Sequence, residues 1–336
     1  MELHAHLNGS LSGDTLKELI ELQKSSSGFE DATCNIWEAV IEHGERRTLE
    51  ECFQVFSIAH TLTSTPKAVY KATQNVIKEF ANEGVHYLEL RSTPRAVPGV
   101  MTKKEYLKAI IDAIKDTTEK IIVKMLISID RRQGSEVAEE NLDLALIIRQ
   151  QHPEILVGMD LSGDPTKGSV KEFLLVLERA RSAGLKIALH CGEVPNADEV
   201  ELILEFKPDR LGHCTCVHPL TGGTKELWNT LLAKKIPVEL CLTSNVKSKT
   251  VENYKEHQFH HFFSAKHPIT ISTDDKGVFA TSLSEEYALA AKHHNLSRKQ
   301  LWELSLFSID YTFASEDEKN QLKLLYSKVK ESMLQN

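Results

Sequence analysis

The sequence predicts an α/β protein, a (β/α)8 TIM barrel with extra helices in the first crossover and at the C-terminus. Three observations lead there. Eight short β-rich runs alternate with stretches of helical period, polar residues gather at the ends of several runs, and no low-complexity segment or long linker divides the 336 residues. One domain, residues 1–336, is expected. The runs are Glu2–His6, Val85–Ser92, Val123–Asp130, Ile155–Leu161, Lys186–His190, Arg210–Cys214, Pro237–Leu242 and Ile269–Thr273. Helical periodicity lies between them at Lys103–Thr118, Val137–Gln150, Val170–Ala183 and Lys225–Lys234. The stretch from about residue 11 to 83 has room for several helices, and Leu283–Leu334 reads as further helix. Alternation alone fits a parallel sheet either closed as a barrel or open and doubly wound.

Composition narrows the function. With 48 acidic against 40 basic residues the formal net charge is −8, which argues against broad phosphate neutralisation on a nucleic acid. A small anionic substrate stays compatible, because a local basic cluster can outweigh a weak global field. The six cysteines, Cys34, Cys52, Cys191, Cys214, Cys216 and Cys241, form no Cys-x-x-Cys pair and no disulfide framework, so reduced thiols in a cytosolic protein are expected. No apolar run has membrane-spanning length and no leader-like segment opens the chain, so no membrane partner is expected.

The chemistry sits at the run ends. The first ends in His4-Ala5-His6-Leu7-Asn8-Gly9, and positions i and i+2 of a strand share a face, so His4 and His6 can grip one ion. The fifth ends in His190-Cys191-Gly192-Glu193, the sixth in Gly212-His213, the eighth in Thr273-Asp274-Asp275. In a barrel these ends share one rim, and imidazoles with a carboxylate suit zinc with one coordination position left for water. Each element alone has a plainer reading: a structural His pair, a satisfied core histidine, an Asp-Asp turn or cap. Their joint occurrence at successive run ends favours metal.

These segments resemble the adenosine deaminase family of amidohydrolase-type barrels: His-x-His, His-x-Gly-Glu, Gly-His and Thr-Asp-Asp in that order, with Met159–Asp164 similar to the family's strand-four loop. The resemblance implies one Zn2+ per chain on His4, His6, His190 and Asp274, lowering the pKa of a water that attacks purine C6. It implies Glu193 as general acid toward ring N1, His213 orienting, deprotonating or electrostatically stabilising the water, and Asp275 accepting a hydrogen bond from the purine edge or leaving amine. The Gly163 N–H would meet ring N3, where a Cβ would block the approach. The cytidine-type Pro-Cys-x-x-Cys signature is absent.

Two departures from the nucleoside-specific members bear on the substrate. Asn8 stands where those carry Asp, and its amide can donate to a 5′-phosphate that a carboxylate would repel. Ser92-Thr93-Pro94-Arg95 resembles the phosphate-contacting loop of the branch acting on N6-methyl-AMP, with Arg95 pairing the phosphate, Ser92, Thr93 and His60 adding donors, and His6 and Asp130 also at substrate-contacting positions. The plain alternatives are a solvated Arg95 and a turn at Asn8-Gly9. The expected reaction converts N6-methyl-AMP to IMP and methylamine, in a monomer. Adenosine deamination and a non-catalytic zinc-binding barrel are the rival readings.

Relatives carry residues before His-x-His, so the first strand is expected to be shortened, exposing its neighbours' ladder edges and weakening the support of His4 and His6. His257 and His261 are spaced i, i+4 but lack a metalloprotease Glu, so a second metal site is not expected. Strand alternation turns Cys191 away from the ion, and Cys214 with Cys216 reads as buried thiols.

Overall fold

The computed structural model describes residues 1–27, 40–41, 43–44 and 48–333; Cys34 lies outside them. The eight strands are β1 (Glu2–His6), β2 (Tyr87–Ser92), β3 (Ile122–Asp130), β4 (Leu156–Ser162), β5 (Lys186–Cys191), β6 (Arg210–His213), β7 (Val238–Leu240) and β8 (Ile269–Ile271). Each pairs in parallel with the next, in sequence order. The ring closes where Ala5 bridges Asp274: His6 N–H donates to the Asp274 carbonyl (3.0 Å) and Asp274 N–H to that of His4 (2.8 Å). This decides for the barrel over an open sheet.

The edge exposure expected around the first strand is not found. β1 is paired on both sides, and the Glu2 carboxylate, fully buried, accepts from His4 N–H (2.8 Å), Thr273 N–H (3.0 Å) and Thr273 Oγ1 (2.9 Å). One side chain thus joins strands one and eight beneath the rim. β7 and β8 are shorter than the hydropathy suggests, because Leu242–Lys247 turns helical at once and Asp274 takes a left-handed backbone (φ 62°).

The helices follow local signals. The first crossover holds Gly13–Ser27, Leu49–Leu62 and Pro66–Asn82. The last begins with a Thr65 cap that accepts from Ala68 N–H (3.2 Å) and with Pro66 in the first turn, and it buries Val69, Val76, Ile77 and Phe80 at helical spacing. Lys103–Lys115 opens on a Thr102/Glu105 capping box. The Val170–Ala183 periodicity divides into a 3-10 turn, Val170–Glu172, and a helix, Leu174–Ser182. Three helices, Leu283–His294, Arg298–Tyr311 and Glu316–Met333, make up the tail. Among the described residues no helix is long and apolar enough to cross a membrane.

The barrel interior is ionic. Barrels of this type are usually filled by branched apolar residues, but here Glu2, Glu89, Arg91, Asp160, Arg210 and Glu239 are all buried inside the ring. Arg91 bonds Asp160 (3.1 Å), Glu239 (2.5 Å) and the Leu3 carbonyl (2.7 Å). Arg210 bonds Glu239 through Nε (2.6 Å) and pairs with Glu89. The tail closes the floor: Phe313 N–H donates to Glu89 (2.7 Å), the Tyr311 carbonyl accepts from Arg210 (2.8 Å), and the guanidinium lies 3.5 Å over the Phe313 ring. The apolar core sits outside the strands, under the helices.

Removing one partner from such a network leaves a buried charge uncompensated, at a cost of about 3–5 kcal/mol. Arg91→Met should destabilise the chain by that order in urea unfolding; a loss below about 1 kcal/mol would show that the network tolerates a missing guanidinium.

Candidate active site

His4, His6, His190 and Asp274 converge at the top of the barrel. His190 Nε2 lies 3.2 Å from His4 Nε2 and 3.3 Å from His6 Nε2, and Asp274 Oδ1 lies 3.3 Å and 3.4 Å from the same two His4 and His6 atoms. A tetrahedral ion with ligands at about 2.0–2.1 Å has ligand–ligand edges of about 3.3–3.4 Å, and these four separations are of that size, close enough for one ion to reach all four atoms. His213 stands just outside, its Nε2 3.7 Å from Asp274 Oδ2 and 3.8 Å from Glu193 Oε2. Its ring nitrogen joins those of His4 and His190 and the Asp274 carboxylate within 4.8 Å.

The hydrogen bonds behind the rim decide what these atoms offer. His4 Nδ1 faces the Glu239 carboxylate at 2.7 Å and His190 Nδ1 faces Asp160 at 3.0 Å. A carboxylate accepts, so each Nδ1 donates and each Nε2 presents a lone pair to the common point. Electron-pair donors facing one another need a cation between them. A proton on His4 is one such cation: Asp274 and Glu239 raise this imidazole to about 9, against burial and Arg91, which push it down. A metal ion engaging all four groups is the other, and would take that proton's place. Burial drives His6 down, to about 3, despite Asp274, which keeps its imidazole neutral and able to ligate.

The carboxylate pair behaves oppositely at its two members. Against burial, His4, His213 and His6 hold Asp274 well below the usual range, while burial and the Asp274 charge push Asp275 well above it. Asp274 is therefore held as an anion, while its neighbour Asp275 is pushed toward its protonated form. Asp275 Oδ1 is buried without a protein partner.

Close backbone packing holds these groups. A Cβ on Gly9 would fall 1.6 Å from Asp275 Oδ1, and one on Gly212 would fall 2.9 Å from His4 Cε1. His213 and Asp274 both have left-handed backbone, φ 63° and 62°. Such conformations cost about 1–3 kcal/mol in non-glycine residues and persist where the surroundings impose them.

A profile of the family described as adenosine deaminase matches residues 1–331. The chain belongs to the adenosine deaminase family. Within that family the N6-methyl-AMP deaminase of Homo sapiens is 47% identical over 339 residues, spanning 99% of this chain and 94% of its own. The apo structure of the N6-methyl-AMP deaminase from Arabidopsis thaliana matches with a TM-score of 0.88 at 40% identity, covering 98% of this chain and 96% of that one. The structure of Arabidopsis ADAL complexed with IMP matches with a TM-score of 0.87 at 40% identity and the same coverage. As a member of the adenosine deaminase family with these relatives, the chain is a hydrolytic deaminase acting on a purine C–N bond.

The residues expected to meet a phosphate form a second cluster. Ser92 Oγ lies 2.6 Å from the Tyr106 hydroxyl, and Asn8 also bonds that hydroxyl. The Arg95 guanidinium lies 6.0 Å from the Tyr106 ring centroid, and its Nη2 donates to the carbonyls of His60 (2.6 Å) and Thr63 (2.5 Å) and to Thr63 Oγ1 (2.8 Å). Arg95 thus anchors the end of helix Leu49–Leu62, a role not expected from sequence, while its buried Nε and the buried Asn8 Oδ1 have no protein partner. Loss of hydration and the nearby Arg95 and Arg132 hold the His60 imidazole down, to about 4. Pro94 is buried and Thr93 half-buried in the same loop.

Asp130 is engaged by Arg132, whose Nε lies 2.9 and 3.0 Å and Nη2 2.6 Å from its oxygens. Gly163 has φ 95°, and a Cβ there would fall 2.4 Å from Asp130 Oδ1, so glycine is required by the backbone and by Asp130 as well as by any ring above it. His257 and His261 do not share a site: His257 bonds Asn245 (3.0 Å) and His261 stacks on His218 (3.7 Å between centroids). Cys191, Cys214 and Cys216 are buried.

Sequence reasoning missed Glu239, Asp160, Arg91 and Arg210. Their signal was charged residues at inward strand positions, where a barrel normally places Val, Ile or Leu. Removing the carboxylate behind a ligand histidine typically weakens metal binding 10–100-fold. Glu239→Gln should do so in competition against a chromophoric chelator; unchanged affinity would mean that Glu239 supports the fold and not the ligand.

Proposed function

We propose that this chain is a zinc-dependent N6-methyl-AMP deaminase, hydrolysing N6-methyl-AMP to IMP and methylamine. The observation that carries the reading is the convergence of imidazole lone pairs and the Asp274 anion on one point, beside a second cluster suited to an anion. Borderline nitrogen and carboxylate donors gathered at one point suit zinc among divalent ions. His4, His6, His190 and Asp274 would hold it, and when bound it supplies a Lewis acid that lowers the pKa of water toward about 7.

The chain's own residues do the rest. Glu193, facing the same point as His213, protonates ring N1 as water adds to C6, so charge does not build up on the purine, and the carboxylate this leaves takes the water's proton and passes it to the departing amine. Asp275, favouring its proton and free at Oδ1, can donate to a ring nitrogen and then accept from the leaving amine. Gly163 N–H meets ring N3. Arg95, through Nε and its remaining Nη1, pairs with the 5′-phosphate, with Asn8, Ser92, Thr93 and His60 around it. The names of the human and Arabidopsis relatives and the IMP complex of ADAL support the nucleotide.

The test is a pair of substrates. Wild type should prefer N6-methyl-AMP over N6-methyladenosine. A charge-assisted hydrogen bond is worth about 1.5–3 kcal/mol, so Arg95→Ala should cut kcat/KM for the nucleotide by roughly tenfold to more than a hundredfold. The nucleoside rate controls for the helix anchor. Equal losses on both would make Arg95 purely structural, and a wild type that prefers the nucleoside would make adenosine-type substrates the better reading.

A further inference from the structure

His213 Nδ1 lies 3.2 Å from the side-chain amide nitrogen of Asn245, buried on the helix that follows β7. Which end of that amide faces the ring decides whether Nε2, on the reactive side, carries a proton or a lone pair. Two independent hydrogen-bond chains decide it, each ending on a backbone group whose polarity is fixed.

In the first, Phe259 N–H donates to His257 Nδ1 (3.0 Å). That nitrogen therefore holds a lone pair, the His257 proton sits on Nε2, and Nε2 donates to Asn245 Oδ1 (3.0 Å). In the second, Gln258 Nε2 lies 3.0 Å from the His213 carbonyl, which can only accept, so the amide of Gln258 is oriented by it. The same nitrogen faces Thr215 Oγ1 (3.1 Å) and Asn245 Oδ1 (3.0 Å), both acceptors toward its second hydrogen, whereas an Asn245 amide nitrogen turned to it would set two donors face to face. Both chains make Asn245 Oδ1 the acceptor and leave Nδ2 to donate to His213 Nδ1. An imidazole that accepts at Nδ1 carries its proton on Nε2.

This is the reverse of the ligand histidines. His4 and His190 face carboxylates at Nδ1 and present lone pairs at Nε2, whereas His213 faces an amide N–H and presents N–H. We propose that Asn245 is a positioning residue that fixes His213 as an Nε2–H donor, keeping it out of the metal's ligand set and aimed at the attacking water. The inference rests on the deaminase reading for its kinetic consequence, but the tautomer itself does not depend on the substrate. His213 in this form donates a hydrogen bond to the water oxygen and has no lone pair at Nε2 with which to take the water's proton.

Asn245→Asp reverses the instruction with little change of shape: a carboxylate accepts from Nδ1–H and moves the lone pair to Nε2, while His257 and Gln258 keep an acceptor. In the zinc-loaded enzyme with 15N-labelled histidine, the His213 resonances, assigned by their loss in His213→Asn, should show Nε2 protonated and Nδ1 bare. Asn245→Asp should invert that pattern and lower kcat on N6-methyl-AMP by about 10²–10⁴-fold, with KM within about threefold. A wild-type His213 protonated at Nδ1 overturns the proposal, even if the variant does not fold. So does an inverted tautomer with unchanged kcat, or a fall in kcat with the tautomer unchanged, which would mark Asn245 as a packing residue. If N6-methyl-AMP is not turned over, the substrate reading fails while the wild-type spectrum still decides the tautomer.

Discussion

The site depends on one buried interaction, the Arg91 guanidinium shared between Glu239 and Asp160. Those two carboxylates are the groups that hold His4 and His190. A guanidinium presents several donors in a rigid plane, so it can fix two carboxylates at once, and each then fixes the tautomer and plane of one imidazole. Arg210 ties Glu239 to Glu89 one layer lower, and the tail covers that layer with Phe313. Among the groups ion-paired in this lattice, three carboxylates, Glu89, Asp160 and Glu239, face two guanidiniums, an excess of one negative charge. That excess favours a cation above it, which an apolar barrel filling would not.

The upper layer combines strain with close packing. His213, at the end of β6, and Asp274, just beyond β8, both take left-handed backbone, and the adjacent Asp274 and Asp275 are held in different states. Gly9 and Gly212 leave the space into which Asp275 and His4 fit. The result is a set of like groups in unlike states. Asp274 is held anionic and Asp275 pushed toward its neutral form by the same short stretch of chain, and the imidazoles are sorted by what lies behind them.

Much of this was legible in the sequence because strand ends carry their chemistry in short runs. His4-x-His6, His190-x-x-Glu193, Gly212-His213 and Asp274-Asp275 each place a reactive group at a fixed offset from a β-rich run, and the closed ring brings them together as expected. The supporting groups were not legible in the same way. Glu239 and Asp160 touch their histidines across 235 and 30 residues of chain, and no local spacing reports such a contact. Arg95 shows the opposite problem: its loop suggested an anion site, but its bonds to the His60 and Thr63 carbonyls arise from a helix packed against it 32–35 residues away. Nor could the pattern of β1 reveal that Glu2 joins it to Thr273, so the expected weak edge proved to be a closed seam.

On the proposed reading, the charge lattice orders one metal site on which hydrolysis depends. Titrating zinc into chelator-stripped protein while following ultraviolet absorbance change on N6-methyl-AMP tests it most directly. Turnover should be absent without metal and return linearly as zinc is added, breaking at one equivalent per chain. Activity in the stripped protein, or a break at two equivalents, would contradict it.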